Sequence, residues 1–468
     1  MKMHFCSCIL KKNMFRQAAI FAFILFCLSG FSQPRSLSIK EVESLVQSNL
    51  PQLEAYRDLS LASREGISQA KNSLIPDATV GYQANYATYN NITGMNYPSL
   101  MMPISGPPSA NNNANFVPGT SLALMLKWNP LTFGQRNAAV EKATAQFRLA
   151  NATYSQTLFK QQYLALYTYL QAVYFYQLLL SAQQNIRRVE TELGQSLVLA
   201  KQGLRPGIDT IQLQSGLAQA QINFYTVQKA YQLQLVELTR LSGIGTQASD
   251  IVLSDTSLAN RIPVQPEPGD SGLKNPVLLY YQAKQELGRA SLKELQTAWR
   301  PRLDLWTNVY GRGSGVEYNG DINKSAGWNL TRTNYGAGFQ ISFPILQFSQ
   351  INIQKKQYQF LLNADEAMLS QSSLDLEKQL ESAFINFSQN KKIAEQADLQ
   401  KKSAEFAYSG LVLSYNSGLV DFTRLTQGQT DLYNAETATA GAYLQMWHGL
   451  LDIAVAVGDM GLFMHQLK

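Results

Sequence analysis

The sequence predicts a mixed fold written twice over: long α-helices joined to short membrane strands, with too few strands in one chain to close a barrel. Three observations predict it. A set of segments recurs at a near-constant offset, four segments alternate apolar and polar residues, and two stretches of nearly 70 residues contain no proline.

The repeat is read from its punctuation. Asn49-Leu50-Pro51, an amphipathic stretch and Leu74-Ile75-Pro76 recur as Asn275-Pro276, an amphipathic stretch and Trp299-Arg300-Pro301. Trp128-Asn129-Pro130-Leu131-Thr132-Phe133 is echoed by Ser342-Phe343-Pro344-Ile345-Leu346-Gln347-Phe348, and Lys201-Gln202-Gly203-Leu204 by Asn416-Ser417-Gly418-Leu419. Pro51 and Pro276 are 225 apart, as are Pro76 and Pro301; Pro130 and Pro344 are 214 apart, and Gly203 and Gly418 are 215 apart. The change of offset falls in a segment rich in Asn, Pro and Gly, where a loop tolerates length variation. The division this implies is a first helix–strand–strand–helix repeat over 33–255, a linker over 256–274, a second repeat over 275–458 and a tail over 459–468.

The chain begins with a basic region (Lys2, Lys11, Lys12, Arg16), an apolar run from Ala18 to Leu28, and the small residues Ser29, Gly30 and Ser32. That order is a secretory signal over residues 1–32, with Gln33 as the expected mature start; the run is too short to stay in a bilayer as a span. Cys6, Cys8 and Cys27 all fall within it, so the mature chain has no thiol for a disulfide or a metal. A lipid anchor at Cys27 is disfavoured, because no small residue precedes it.

Bulk composition narrows the class. Only 15% of the 468 residues are charged, and the mean hydropathy is −0.16, too polar for a bundle of membrane helices. The net charge of +6 lies partly in the signal, and no basic patch interleaved with aromatics follows, so nucleic acid is not expected as a partner.

The first strand places Val80, Tyr82, Ala84 and Tyr86 on one face against Thr79, Gly81, Gln83 and Asn85. The second places Leu122, Leu124, Leu126 and Trp128 against Ser121, Ala123, Met125 and Lys127. The third sets Leu303, Leu305 and Val309 against Arg302, Asp304 and Asn308; the fourth sets Tyr335, Ala337, Phe339, Ile341 and Phe343 against Gly336, Gly338, Gln340 and Ser342. Long polar loops are expected over 90–118 and 313–334, with Gly311-Arg312-Gly313-Ser314-Gly315 leading from the third strand into the second loop. Such strands also suit a soluble sandwich, but the signal, the loop asymmetry and the small polar residues favour a transmembrane barrel. The smallest barrels use roughly eight strands, and an open edge in lipid leaves backbone groups unpaired. A chain with four must share its barrel with copies of itself.

Helix-forming residues run from Phe133 to about Gln202 and from Phe348 to Asn416, on the order of 100 Å each at 1.5 Å per residue. Each turns at a Gly-Leu tip into a return helix, Gly207 to about Ser242 and Val420 to about Val457. The apolar stretch from Tyr163 to Leu178 contains Gln171, Gln177 and several tyrosines, and reads as a helix buried among neighbours rather than a membrane span.

No catalytic constellation assembles, so no enzyme, metal or cofactor is expected. Outside the signal the histidines are His448 and His465, without thiols or carboxylate spacing, and no phosphate loop or nucleophile elbow is present.

Signal peptide, doubled units, Asn/Pro openings, prolines at strand ends, Gly-Leu tips and Gln429-Thr430-Asp431-Leu432-Tyr433-Asn434-Ala435-Glu436 on the last helix together resemble the TolC-like outer membrane efflux proteins, over about residues 37–458. The resemblance implies a homotrimer in outer membrane lipid: three chains giving four strands each to one barrel, with a helical tunnel through the periplasm of a Gram-negative bacterium. It implies docking on a periplasmic adaptor protein and an inner-membrane pump of the RND, ABC or MFS type, for solute efflux or type I protein secretion. A periplasm-spanning tether without transport is the alternative.

The resemblance also assigns sites. Adaptor-docking tips match Gln202, Gly203, Leu204, Ser417, Gly418 and Leu419, although both glycines equally suit left-handed helix caps. The family's acidic periplasmic aperture matches Arg424 and Gln427, a departure that leaves no acid there. Asp421, one turn earlier, either takes that place or caps the return helix; Asp209 holds the similar place in the first repeat, and capping is the preferred reading for both.

Overall fold

A computed structural model describes residues 35–90, 109, 111–204, 206–266 and 274–467. The expected signal with its cysteines, most of the first loop (91–108) and part of the linker (267–273) lie outside the described residues.

The elements, in order, are β1 (Arg35–Leu37), α1 (Ile39–Asn49), α2 (Pro51–Asn72), β2 (Asp77–Thr88), β3 (Phe116–Leu131), α3 (Gln135–Lys201), α4 (Gly207–Ser242) and β4 (Ile251–Leu253). Then follow α5 (Pro276–Thr297), β5 (Arg302–Ser314), β6 (Arg332–Ser342), α6 (Phe348–Asn416), α7 (Phe422–Val457) and α8 (Gly461–Met464). Helix lengths pair off along the chain. α2 and α5 both have 22 residues, α3 has 67 against 69 in α6, and α4 and α7 both have 36. Neither Gly194 nor Gly410 interrupts its long helix.

The chain divides into two compact units. One holds residues 56–154 and 279–371 and contains a four-stranded antiparallel sheet, ordered β2-β3-β5-β6. The register brings the greasy faces of all four strands together: Val80 pairs with Leu124, Leu124 with Val309, and Val309 with Tyr335. Leu305 pairs with Phe339 and Leu303 with Ile341 on the same face. A bulge between Trp128 and Leu131 interrupts the β3–β5 ladder before its last pair, Leu131 with Leu303, and Pro130 sits in it, where a missing N–H costs no hydrogen bond. Two expectations need correction. Gly311 to Ser314 belong to β5, and Arg332 to Asn334 to β6, so the second loop is shorter than its glycines and asparagines suggest. Phe343 lies just beyond β6, where the chain turns towards Pro344. Below the sheet, α3 is held to α5 by Glu141–Lys293, Lys142–Glu294 and Arg148–Glu286 ion pairs.

The other unit holds residues up to 55, 155–278 and 372 onward. Trp447, Tyr169, Phe387 and Phe463 are buried at its core; the Trp447 indole donates to the Leu258 carbonyl at 2.8 Å, and the Tyr169 hydroxyl to that of Leu37 at 2.9 Å. Leu166, Tyr169, Leu170 and Val173 are all buried, as the apolar stretch from Tyr163 implied. Among the described residues, no helix is long and apolar enough to cross a membrane. The Asn-Pro opening has a physical reason. Asn275 accepts from the Val277 N–H at the start of α5 and donates to the Val455 and Ala456 carbonyls at the end of α7. One buried amide thereby serves two helix ends. A parallel pair, β1 with β4, was not expected from the sequence.

Candidate conduit site at the hairpin tips

Both tips lie in the second unit, and both close by the same device. At the first, Gly203 has φ +71°, its N–H reaches the Ala200 carbonyl, and the Leu204 N–H reaches that of Leu199, each at 3.0 Å. At the second, Gly418 has φ +75°, its N–H reaches Tyr415 at 3.0 Å, and the Leu419 N–H reaches Ser414 at 2.9 Å. This is the Schellman pattern, which needs a residue tolerant of the left-handed region. A Cβ on Gly203 would meet nothing within 4 Å, so the backbone angle and not space selects glycine there. The motif usually seats the next apolar side chain against the helix. Here Leu204 is 66% exposed and Leu419 80%. Gln202 and Ser417, each donating its N–H back into the preceding helix, complete the turns.

The returns differ. Asp421 caps α7, its Oδ1 accepting from the Arg424 N–H at 2.9 Å. Asp209 does not cap α4. Pro206 occupies the cap position without a side-chain bond, and Asp209 falls inside the first turn, nearly buried. A carboxylate there still meets the positive end of the helix dipole. Arg424 and Gln427 are both exposed, on the side of α7 away from the buried Leu425, Gly428 and Leu432. Gln427 donates to Asp431 at 2.8 Å, so an acid does share that stripe, one turn further along than expected.

Behind the tips, Phe422 packs on a cluster of Val189, Leu213 and Ala220 and stands edge-on to the buried Tyr415. Above it lies a polar network that sequence reading missed. Arg188 donates to Glu436 through both terminal guanidinium nitrogens, Nη1 and Nη2, at 2.9 Å, Tyr408 donates to Glu192, and Gln429 donates to Asn185 at 3.1 Å. Burial raises the Glu192 pKa, while the bonds from Tyr408 and the charge of Arg188 oppose the rise. The available signal was Arg188 and Glu192 one turn apart on an otherwise packed helix. Among the described residues, no group of His, Cys, Asp and Glu is arranged to hold a metal.

Residues 270–459 match the family described as Outer membrane efflux protein. The chain is 24% identical over 450 residues to the outer membrane protein TolC of Escherichia coli K12, covering 92% of this chain and 85% of that one. It is 21% identical over 439 residues to TolC of Salmonella enteritidis, covering 92% and 84%. The chain is similar over most of its length to the TolC outer membrane proteins, and over residues 270–459 to the outer membrane efflux proteins. It shares its fold with the outer membrane protein VceC of Vibrio cholerae, at a TM-score of 0.73 and 13% identity over 90% of this chain and 96% of that one. The matched family and both relatives support an outer membrane location and an efflux channel.

Proposed function

We propose that three copies of this chain form one passive exit duct, from the tips in the periplasm to the cell surface, within a tripartite efflux or type I secretion system. One observation carries the reading. The sheet has two open edges, β2 and β6, and a continuous apolar face that is exposed along all four strands. In lipid that face is at home, but the edges are not, since each unpaired N–H and C=O costs several kcal/mol there. Copies joined β6 to β2 satisfy every edge and leave the polar face turned inward.

In this reading the solvent-facing Leu204 and Leu419, set on rigid Gly203 and Gly418 turns beside Gln202 and Ser417, are the knobs an adaptor grips. Asp421, Arg424 and Gln427 stand at the aperture, where Asp421 is already engaged by its own helix. The pump supplies the energy and chooses the cargo. The division into repeats over 33–255 and 275–458 belongs to the same proposal.

Two measurements test it. Purified protein in mild detergent is expected at three chain masses; a monomer defeats the shared barrel. Planar bilayers are expected to show channels, whereas a tether would pass no current.

A further inference from the structure

The return helix α4 is apolar on two opposite sides. Leu213, Ala220, Leu235 and Leu238 are buried against its own chain. Ile208, Ile211, Ile222, Tyr225, Leu233 and Val236 are each more than half exposed. At 3.6 residues per turn these six fall on one stripe, on the far side of the helix from the buried four. Ser215 and Ala218, also exposed, lie on the same stripe. From Ile208 to Tyr225 it therefore advances by alternate steps of three and four, seven residues per repeat. Between Ile208 and Val236 the charged residues are Asp209 and Lys229 alone. A helix with one apolar stripe needs one covering layer; a helix apolar on two sides needs two.

The long helix α6 repeats the situation within the same unit. Ala383, Phe387, Ala394 and Ala397 are buried on one side. Leu374, Ile385, Leu399, Phe406 and Leu413 stand exposed on the other, Phe406 by 83%. Leu399, Phe406 and Leu413 are seven apart, the spacing of the α4 stripe. Helices with apolar residues at that spacing pack by seating a side chain of one in a hole framed by residues of the other. Ser215 and Ala218 frame the roomiest hole on α4, and Phe406 is the largest side chain on the α6 stripe that could fill one.

We infer that the α4 stripe of one copy packs on the α6 stripe of the next, a seam between chains made by helices alone. The seam rests on the reading that copies assemble in a ring, and adds a second contact to the joined sheet edges. The stripes lie on different helices, so the contact is heterologous. In a closed ring each copy offers α4 to one neighbour and α6 to the other, and both stripes are covered at once. The open edges β2 and β6 make the same demand for two different neighbours. A partner of another kind seated on one stripe would leave the other in water, where exposed apolar stretches of this length are unusual.

Paired cysteines in the full-length protein test the seam. F406C is combined with S215C and, separately, with I222C, one repeat further along, because a seven-residue slip preserves the match. Membranes are treated with a short bismaleimide linker, with the wild type as blank since its cysteines all fall within residues 1–32. One of the two pairings is expected to convert most of the single-chain band into products of two and three chain masses. S215C, I222C and F406C alone are expected to stay at one chain mass, because a heterologous contact brings unlike positions together. Should F406C fail to accumulate, L413C with I208C and with S215C repeats the measurement. No linked product from any pair, with the wild type still at three chain masses, overturns the seam and leaves the shared barrel standing; an outside protein on the stripes gives that result. Linked product from a single variant also overturns it, since a stripe would then meet its own copy. A wild type found at one chain mass overturns the ring and the seam together.

Discussion

On the sheet, Tyr335 is 89% and Phe339 72% exposed, while in the helical unit Glu192 is 4% exposed and Arg188 closes on Glu436 in a bidentate pair. One region turns its apolar side chains out and the other takes its charges in. In water the first arrangement costs some 25 cal/mol for each Å² of apolar surface left wet, a cost that the proposed shared barrel removes by setting that face against lipid. The second is tolerable only because each charge meets a partner, since an unpaired ion in a packed interior costs several kcal/mol. The contrast teaches that the two units are built for different surroundings, and substitution can break either side of it.

The largest effect is expected on the sheet. Phe339→Arg places a charge on the apolar face, which costs roughly 2–4 kcal/mol near the middle of a bilayer and recurs in every copy of a shared barrel. Loss of membrane-extracted oligomer is the expected result, read on gels of unheated samples. Gln340→Arg, one residue along and on the polar face, is expected to assemble normally. Equal assembly of both variants would mean that the greasy face does not meet lipid.

The next effect lies in the helical unit. Arg188→Ala leaves Glu436 without its bidentate partner and removes the cation that offsets the burial of Glu192. About 3 kcal/mol per chain is expected, the lower range for breaking a buried pair. Arg188→Met together with Glu436→Leu removes both charges and is expected to recover most of the loss in thermal midpoint. If the double substitution is as damaging as the single, the network does more than neutralise itself.

How much of this was legible beforehand depends on period. The alternation at Val80–Tyr86 and Leu122–Trp128 fixed which faces meet, and the proline-free runs fixed the long helices almost to the residue. What escaped notice has no period. β1 and β4 have three residues each, too few to alternate. The network joins Arg188, Tyr408 and Glu436 from three helices, so its burial exists only once those helices lie together. The outer strand ends, such as Gly311 to Ser314, carry loop-like composition and are held as strand by the ladder of their neighbours. Asp209 was misread as a cap because Pro206, three residues earlier, already occupies that position.

A pH effect of intermediate size follows from His448, which stacks on Tyr167 with ring centroids 4.2 Å apart and has no partner for its Nε2. Burial lowers its pKa from 6.5 to about 4, so the folded state keeps it neutral. The unfolded chain takes up the proton first. Stability is therefore lost as pH falls from about 6.5 to about 4 and is flat below, up to about 3 kcal/mol per chain. Glu192 and Asp452 work in the opposite sense, because burial raises both and protonation favours their folded forms. His448→Phe keeps the stacking and removes the titration. Its thermal midpoint is expected to drop less than that of the wild type between pH 7 and pH 4.5; parallel drops would exclude His448 as the source.

The smallest effect separates the two return helices. Asp421→Ala removes a side-chain cap and is expected to cost about 1 kcal/mol, the usual value for a lost N-cap bond. Asp209→Ala removes only the interaction of a first-turn carboxylate with the helix dipole, a few tenths of a kcal/mol. Hydrogen exchange at the first turns is the sensitive readout. The Arg424 amide is expected to exchange several-fold faster in Asp421→Ala, while the first-turn amides of α4 barely change in Asp209→Ala. The tips would then be alike in how they end a helix and unlike in how they begin the next. A frayed first turn beside Leu419 with an intact one beside Leu204 would let adaptor binding be assigned to one tip or the other. Equal exchange in both variants would mean that the Asp421 bond contributes nothing and that the two returns are equivalent after all.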